Sequence, residues 1–246
     1  LVKGETMRNF MLDFKDLIYV VIERVIVPLL PLFIFGIFLQ MGAEGKVSAV
    51  MGMFLKIIVI IFIMHVVLLV MQFVVAGAIS RKNPFKALYT MLPAYMTALG
   101  TQSSAATIPV TLAQTIKNGV REEIAGFVIP LCATIHLAGS ILKIVACAYA
   151  ISLSMGMNVG LDLYSGFICM LGVMMVAAPG VPGGAIMTAI GLIASMLGFD
   201  PSMQGLMIAL YIAMDSFGTA ANVTGDGAIA LIINTIRTKS STKAVS

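Results

Sequence analysis

Residues 87–117, ALYTMLPAYMTALGTQSSAATIPVTLAQTIK, decide the fold. The stretch is apolar to Ala98, turns polar over LGTQSSAAT (residues 99–107) and resumes at Ile108 and Pro109. A membrane-spanning helix takes about 20 residues, and neither half has that length. Both ends are basic, with Arg81, Lys82 and Lys86 before the stretch and Lys117 and Arg121 after it. Loops rich in Lys and Arg stay on the cytoplasmic side of a membrane. Two half-helices with a polar tip and both ends on one side make a re-entrant hairpin. Backbone that leaves the helix at membrane depth persists only where protein or a bound solute satisfies it.

The rest of the chain supports a membrane setting. Of its 246 residues 60% are hydrophobic and 11% charged, and the mean hydropathy is +1.05. Soluble domains run near about 25% charged, so these values exclude a disordered chain, a disulfide scaffold and nearly every soluble enzyme. The net charge is only +4, and the basic residues sit in short clusters between apolar runs. That is the pattern of membrane loops, and no nucleic-acid partner is expected. Cys132, Cys147 and Cys169 lie in apolar stretches without metal-ligand spacing and read as small buried hydrophobes. The chain opens at Leu1, as a piece of a longer protein would.

Outward from the hairpin the segments fall into place. Residues 1–16 are mixed and suit the membrane interface. Residues 17–42 are long enough to span, carry Glu23 and Arg24 near one end and are expected to kink at Pro28 and Pro31. Residues 47–79 form a second span, apolar apart from Lys56, His65 and Gln72. After the hairpin comes a span over 122–154, interrupted at TIHLAGS (134–140). Residues 158–197 repeat the hairpin, broken at AAPGVPGG (177–184), with Asp162 and Asp200 on its flanks and no Lys or Arg. The last span, 203–236, holds Asp215 and GTAANVTGD (218–226), and a basic tail with Arg237, Lys239 and Lys243 follows. By the charge rule the first hairpin enters from the cytoplasm and the second from outside. The expected fold is an all-α polytopic membrane protein with about four spanning helices and two re-entrant hairpins in inverted repeat. Residues 1–46 form a scaffold-type part and 47–246 a transport-type core. Such repeats place binding sites at the midplane, where the broken backbones meet.

The polar residues at those breaks say what the site binds. A carboxylate at mid-membrane costs at least ~2.5–3.5 kcal/mol by insertion scales and marks a functional pathway. Asp215 and Asp226 lie eleven residues apart, about three helical turns, so both can face one side, with Asn222 on the same stripe. A carboxylate suits a substrate ammonium. Helix N-termini at the tips, with Asn, suit a substrate carboxylate. The set fits a zwitterion.

At these residues the chain resembles the dicarboxylate/amino acid:cation symporter family, the glutamate-transporter homologues. TQSSAATIPVT (101–111) is similar to the family's serine-rich hairpin motif, APGVPGG (178–184) to its glycine- and proline-rich gate, and NVTGD (222–226) to its last-helix motif residue for residue. The resemblance runs in order over residues 17–237 and implies spans five to eight of an eight-span protein with both hairpins. It also implies a homotrimer in the plasma or inner membrane, a static scaffold and a transport domain that moves like an elevator. Ser103 and Ser104 would hold the substrate carboxylate, and Gly180 and Val181 would close over it. Asp215 would take the ammonium, with Thr219 and Asn222 completing the pocket. Asn222 and Asp226 would coordinate a cation, and Thr134 would belong to another cation site.

Two departures shape the expected function. Acidic-substrate members carry an arginine three residues after the carboxylate that matches Asp215, and here that position is Gly218. Without a guanidinium for a side-chain carboxylate, the substrate is expected to be a small neutral amino acid. The family's N-M-D-G-T motif in the broken span reads HLAGS (136–140), so two hard oxygen ligands for sodium are replaced by His136 and Ala138. Lys143 lies four residues beyond Gly139. A buried ammonium there stands in for a cation or pairs with Asp215 or Asp226. His136 and Lys143 are therefore coupling candidates, with proton coupling or uncoupled exchange in place of sodium coupling. His65 is read as structural. The expectation is a symporter-type carrier of amino acids, with Na+ or H+ as coupled cation and no cofactor. A sodium-independent exchanger or proton-coupled carrier of dicarboxylates or acidic amino acids, an intramembrane enzyme, a channel and a non-transporting receptor on the same scaffold are the alternatives. The enzyme lacks support in an H-E-x-x-H or G-x-S-x-G motif.

Overall fold

A computed structural model describes residues 5–21, 24–25, 27–43, 45, 47–157, 159–180 and 182–245. All regular elements among them are helices: α1 (Glu5–Val21), α2 (Val27–Ala43), α3 (Val47–Ser80), α4 (Pro84–Thr90), α5 (Leu92–Thr101), α6 (Ser104–Lys117), α7 (Glu122–Ile135), α8 (Ala138–Ser154), α9 (Leu161–Met174), α10 (Gly184–Leu197), α11 (Pro201–Ala213) and α12 (Asp215–Val245), with one 3-10 turn at Met175–Ala177. Met51–Ser80 and Glu122–Ser154 are long and apolar enough to cross a membrane. Pro201–Ala213 and Asp215–Thr238 qualify together as a third span, bent by 59°. The chain is an all-α polytopic membrane protein.

Local chemistry explains the breaks. Asn83 caps α4, its side chain accepting from the Lys86 amide, and Pro84 occupies the first helical position, where no amide hydrogen is needed. The loop is tied down by the Lys82 ammonium, which donates to the Asn118 carbonyl across the mouth of the hairpin. α5 ends because Gln102 takes φ 52°, a left-handed conformation that costs a non-glycine residue. Ser103 then caps α6, its hydroxyl accepting from the Ala106 amide at 3.3 Å. The second hairpin, α9 and α10, breaks over the proline- and glycine-rich tip, where Gly183 takes φ 73°. Asp200 caps α11, accepting from the Met203 amide at 2.8 Å. Hairpin followed by broken span thus occurs twice: α5–α6 with α7–α8, and α9–α10 with α11–α12.

Two apolar cores hold these units. Phe73, Met91, Ala98, Val128, Ile129 and Val223 pack the first hairpin against α3, α7 and α12. Ile144, Phe167, Ile186, Leu206 and Tyr211 pack the second hairpin against α8 and α11, and Ile61 of α3 joins the same core beside α8. Large apolar side chains left exposed on α3, such as Val59, Ile63, Val67 and Met71, face hydrocarbon rather than water.

Three details differ from expectation. The first span divides into two helices: α1 ends at Val21, α2 begins at Val27 just before Pro28, and Pro31 sits inside α2. The last span is broken at Met214, which carries neither Gly nor Pro as a signal. Cys132 and Cys147 are buried, but Cys169 is exposed.

Candidate functional site

Four helices begin at the breaks: α6 at Ser104, α8 at Ala138, α10 at Gly184 and α12 at Asp215. Each helix start presents unpaired amides and a positive dipole end. Hydrogen bonds tie these starts together. Ser103 Oγ donates to the Gly180 carbonyl at 2.9 Å, joining the two hairpin tips. Gln102 Nε2 donates to Ser216 Oγ at 2.9 Å, joining the first tip to α12. The Gly183 amide donates to Asp215 Oδ2 at 2.8 Å, joining the second tip to α12. The Gly139 and Ser140 amides donate to Asn222 Oδ1 at 2.8 and 3.3 Å, joining α8 to α12. Asn222 Nδ2 completes the pair by donating to Ser140 Oγ at 2.9 Å.

Close backbone approach makes this possible. A Cβ on Gly139 would lie 2.7 Å from the Ala221 Cβ and 2.8 Å from the Gly218 carbonyl oxygen. A Cβ on Gly225 would lie 2.6 Å from Gln72 Oε1 and 2.7 Å from His136 Cε1. At Gly139 the obstacle includes backbone, so only glycine fits there and α8 rests directly on α12; at Gly225 the obstacles are the side-chain ends of Gln72 and His136.

Both α12 carboxylates are buried, and each meets a basic side chain. Lys143 Nζ donates to Asp215 Oδ1 at 3.1 Å and to the Tyr211 carbonyl at 3.3 Å. The ammonium lies 3.4 Å from the centroid of the Tyr211 ring, a cation–π contact. Lys143 is 0% exposed. His136 Nδ1 lies 2.8 Å from Asp226 Oδ1, and Gln72 Nε2 approaches the other ring nitrogen at 3.3 Å. A neutral imidazole carrying its proton on Nδ1 satisfies both contacts. His65 Nε2 donates to the Gly139 carbonyl at 3.0 Å. Among the described residues no group of three or more His, Cys, Asp or Glu side chains is arranged to hold a metal ion.

A cavity of about 190 Å³ opens between the tips, lined by Pro31, Ile34, Gln102, Gly183 and Asp215 among others. That is the volume of roughly six waters. A larger groove of about 800 Å³ runs along α3 and α8, lined by side chains such as Ile61, Leu68, Leu142 and Val145. It is almost wholly apolar and has nothing with which to orient a charged solute.

The sequence-predicted residues distribute as follows. Ser103 meets Gly180 and Asp215 meets Gly183 of the same tip, whereas Asn222 is bonded to the start of α8; Ser104, Gly218 and Thr219 are buried. Val181 lies outside the described residues. Thr134 is exposed, and its hydroxyl donates to the Leu131 carbonyl at 2.8 Å, turned back on its own helix rather than bonded to Asn222 or Asp226. Sequence reasoning missed Gln72, Gln102, Gly183 and Tyr211, and gave His65 no part in the break. His65 and Gln72 stand seven residues apart in an apolar helix. That two-turn spacing on one face was the signal that both serve the same neighbour.

The family model of the sodium:dicarboxylate symporter family matches residues 2–236. The chain belongs to that family. It is a membrane transport protein for a small solute. Transport, not catalysis, is this family's activity, and the two hairpin tips and two broken spans of this symporter-family chain supply polar groups at membrane depth.

Proposed function

We propose that this chain forms the solute-handling part of a secondary carrier that moves a small neutral amino acid across the cell membrane. Residues 47–246 form the moving core and residues 1–46 belong to the scaffold. The core travels by elevator-type alternating access within a homotrimer. The observation that carries the reading is the meeting of both hairpin tips at the start of α12, through Ser103–Gly180 and Gly183–Asp215. Ser103 and Ser104 at the start of α6 receive the substrate carboxylate. Asp215, which lines the cavity between the tips, receives the ammonium; Thr219 and Asn222, buried outside that lining, complete the site behind it, and Gly180 and Val181 close it. The cavity of about 190 Å³ at Asp215 favours a small solute, and Gly218 leaves no guanidinium for a second carboxylate.

Cation coupling departs from the family pattern. A sodium ion needs free oxygen ligands, and one oxygen each of Asp226 and Asn222 is already engaged. Asp226 Oδ1 meets His136, and Asn222 Oδ1 accepts two amides. Thr134 belongs to the second cation site, where its hydroxyl oxygen offers lone pairs to a cation while its hydrogen stays on the Leu131 carbonyl. Lys143 supplies positive charge to Asp215 from within the chain and His136 supplies a proton donor to Asp226, so the carrier runs as a proton-coupled or uncoupled exchanger.

The test is uptake and counterflow of a labelled amino-acid panel in proteoliposomes, with sodium, with choline and with an imposed pH gradient. Uptake in choline supports the reading. Strict sodium dependence refutes the altered coupling, and strong aspartate or glutamate uptake refutes the inference from Gly218. Substrate binding without counterflow would favour a receptor.

A further inference from the structure

We propose that Lys143 is a resident counter-ion that competes, through Asp215, with the ammonium of the substrate, and so sets how strongly the carrier prefers amino acids over carboxylates without an amino group. The proposal rests on the reading of the Asp215 cavity as an amino-acid site.

The geometry separates the two faces of Asp215. Its carboxylate helps to line the cavity between the hairpin tips, and Lys143 is not among the residues lining that cavity. Lys143 reaches Oδ1 from within the protein at 3.1 Å, fully buried, held by the Tyr211 carbonyl and ring. A solute in the cavity therefore meets Asp215 and not Lys143. An ammonium drawn to a lone buried carboxylate gains the full attraction of that charge. An ammonium drawn to a carboxylate already paired at hydrogen-bond distance meets a site of zero net charge, and its arrival leaves one positive charge in excess.

Room for Lys143 depends on Gly218. A Cβ on Gly218 would sit 3.1 Å from Lys143 Nζ and 3.3 Å from its Cε. The lysine head thus occupies the space into which a side chain at position 218 would project. Gly218 and Lys143 form one arrangement: the α12 position is emptied and the ammonium comes from α8. Oδ2 of Asp215 is also engaged, by the Gly183 amide at 2.8 Å. Both oxygens thus have donors before any solute arrives. The empty site is electrically complete, and a solute bound through its carboxylate at the start of α6 needs no ammonium to balance it. Lys143 acts through Asp215, as a positioning and charge-setting residue that does not touch the solute.

The test compares two pairs of probes that differ only in the amino group, L-alanine with L-lactate and L-serine with L-glycerate. Binding is measured by displacement on the full chain in lipid vesicles, for the wild type, Lys143→Met and Lys143→Gln. The glutamine variant keeps a donor toward Asp215 without the charge and guards against misfolding of the methionine variant. Wild type is expected to distinguish the members of a pair weakly. Removing the charge should tighten the amino acid by about tenfold, equivalent to about 1.4 kcal/mol, and leave the hydroxy acid within about twofold. A purely structural lysine would weaken both members alike, and that result, or an unchanged ratio with L-alanine still bound, overturns the counter-ion role while leaving the amino-acid reading intact. If neither amino acid binds in wild type or either variant, the amino-acid reading falls and the counter-ion role falls with it.

Discussion

Gly139→Ala tests the contact on which the site is built. Gly139 is the second residue of α8. Its amide donates to Asn222 Oδ1 at 2.8 Å, and its carbonyl accepts from His65 at 3.0 Å. A methyl group there would lie 2.7 Å from the Ala221 Cβ, 2.8 Å from the Gly218 carbonyl oxygen and 3.2 Å from Asn222 Oδ1. Carbon atoms in contact settle at about 3.5–4.0 Å, so α8 must retreat by roughly an ångström. The obstacle on α12 is a backbone carbonyl, which cannot swing aside as a long side chain can. The retreat carries the Gly139 amide beyond hydrogen-bond range of Asn222. Overpacking costs about 1–3 kcal/mol, and each buried hydrogen bond lost adds about 1 kcal/mol. Against this stands a helix-propensity gain of up to about 1 kcal/mol. The net loss is about 1–4 kcal/mol, or roughly 2–16 °C in Tm for a chain of this size. The assay is thermal unfolding in micelles, read by a thiol-reactive dye reporting the buried Cys132 and Cys147. Gly126→Ala is the control, because nothing lies within 4 Å of its added Cβ. A Gly139→Ala variant that melts with the wild type and the control would refute the argument that α8 rests on α12 without space between them.

Two further variants probe the charges. His136→Ala removes the imidazole from Asp226, which is 1% exposed. The lost charge-assisted bond should lower Tm by an amount matching about 2–3 kcal/mol, and sodium but not choline at equal ionic strength should recover part of it, because a free carboxylate accepts a hard cation. Unchanged melting, or recovery by both salts, counts against the pairing. Gly218→Arg should fail to confer aspartate uptake, since its Cβ meets the Lys143 head at 3.1 Å and two cations would share one carboxylate. Combining it with Lys143→Ala should raise aspartate uptake above the single variant, and equal uptake by the two would contradict that shared occupancy.

Much of the fold was legible because apolar membrane helices announce their interruptions. The polar run at residues 99–107 and the glycine–proline run at 177–184 mark the tips, since such composition has no place in a lipid-facing helix. The break after Ile135 was legible for the same reason. The break at Met214 was not: its composition is ordinary, and the clue was Asp215, an acid at the first position of a helix. The ion pairs were only half legible. Lys143 and Asp215 stand 72 positions apart, and nothing local says whether Lys143 meets Asp215, meets Asp226 or snorkels. Packing against Tyr211 and Gly218 decides it. Gln102 was hidden by its type, because glutamine seldom takes the left-handed conformation that ends α5 here.

α3 holds both sides of the break in the neighbouring span. Gln72 meets His136, the residue that ends α7, and His65 holds the carbonyl of Gly139 at the start of α8. Seven residues of helix separate the two contacts by about 10 Å, a fixed spacing like that of two screws on a bone plate. The fracture between α7 and α8 is therefore splinted. Its two ends change their separation only by straining or giving up a bond to α3, at about 1 kcal/mol for each bond lost. A displacement of α8 that keeps both bonds carries α3 with it, and a chemical tether fixing α3 in place would then hold back α8 as well.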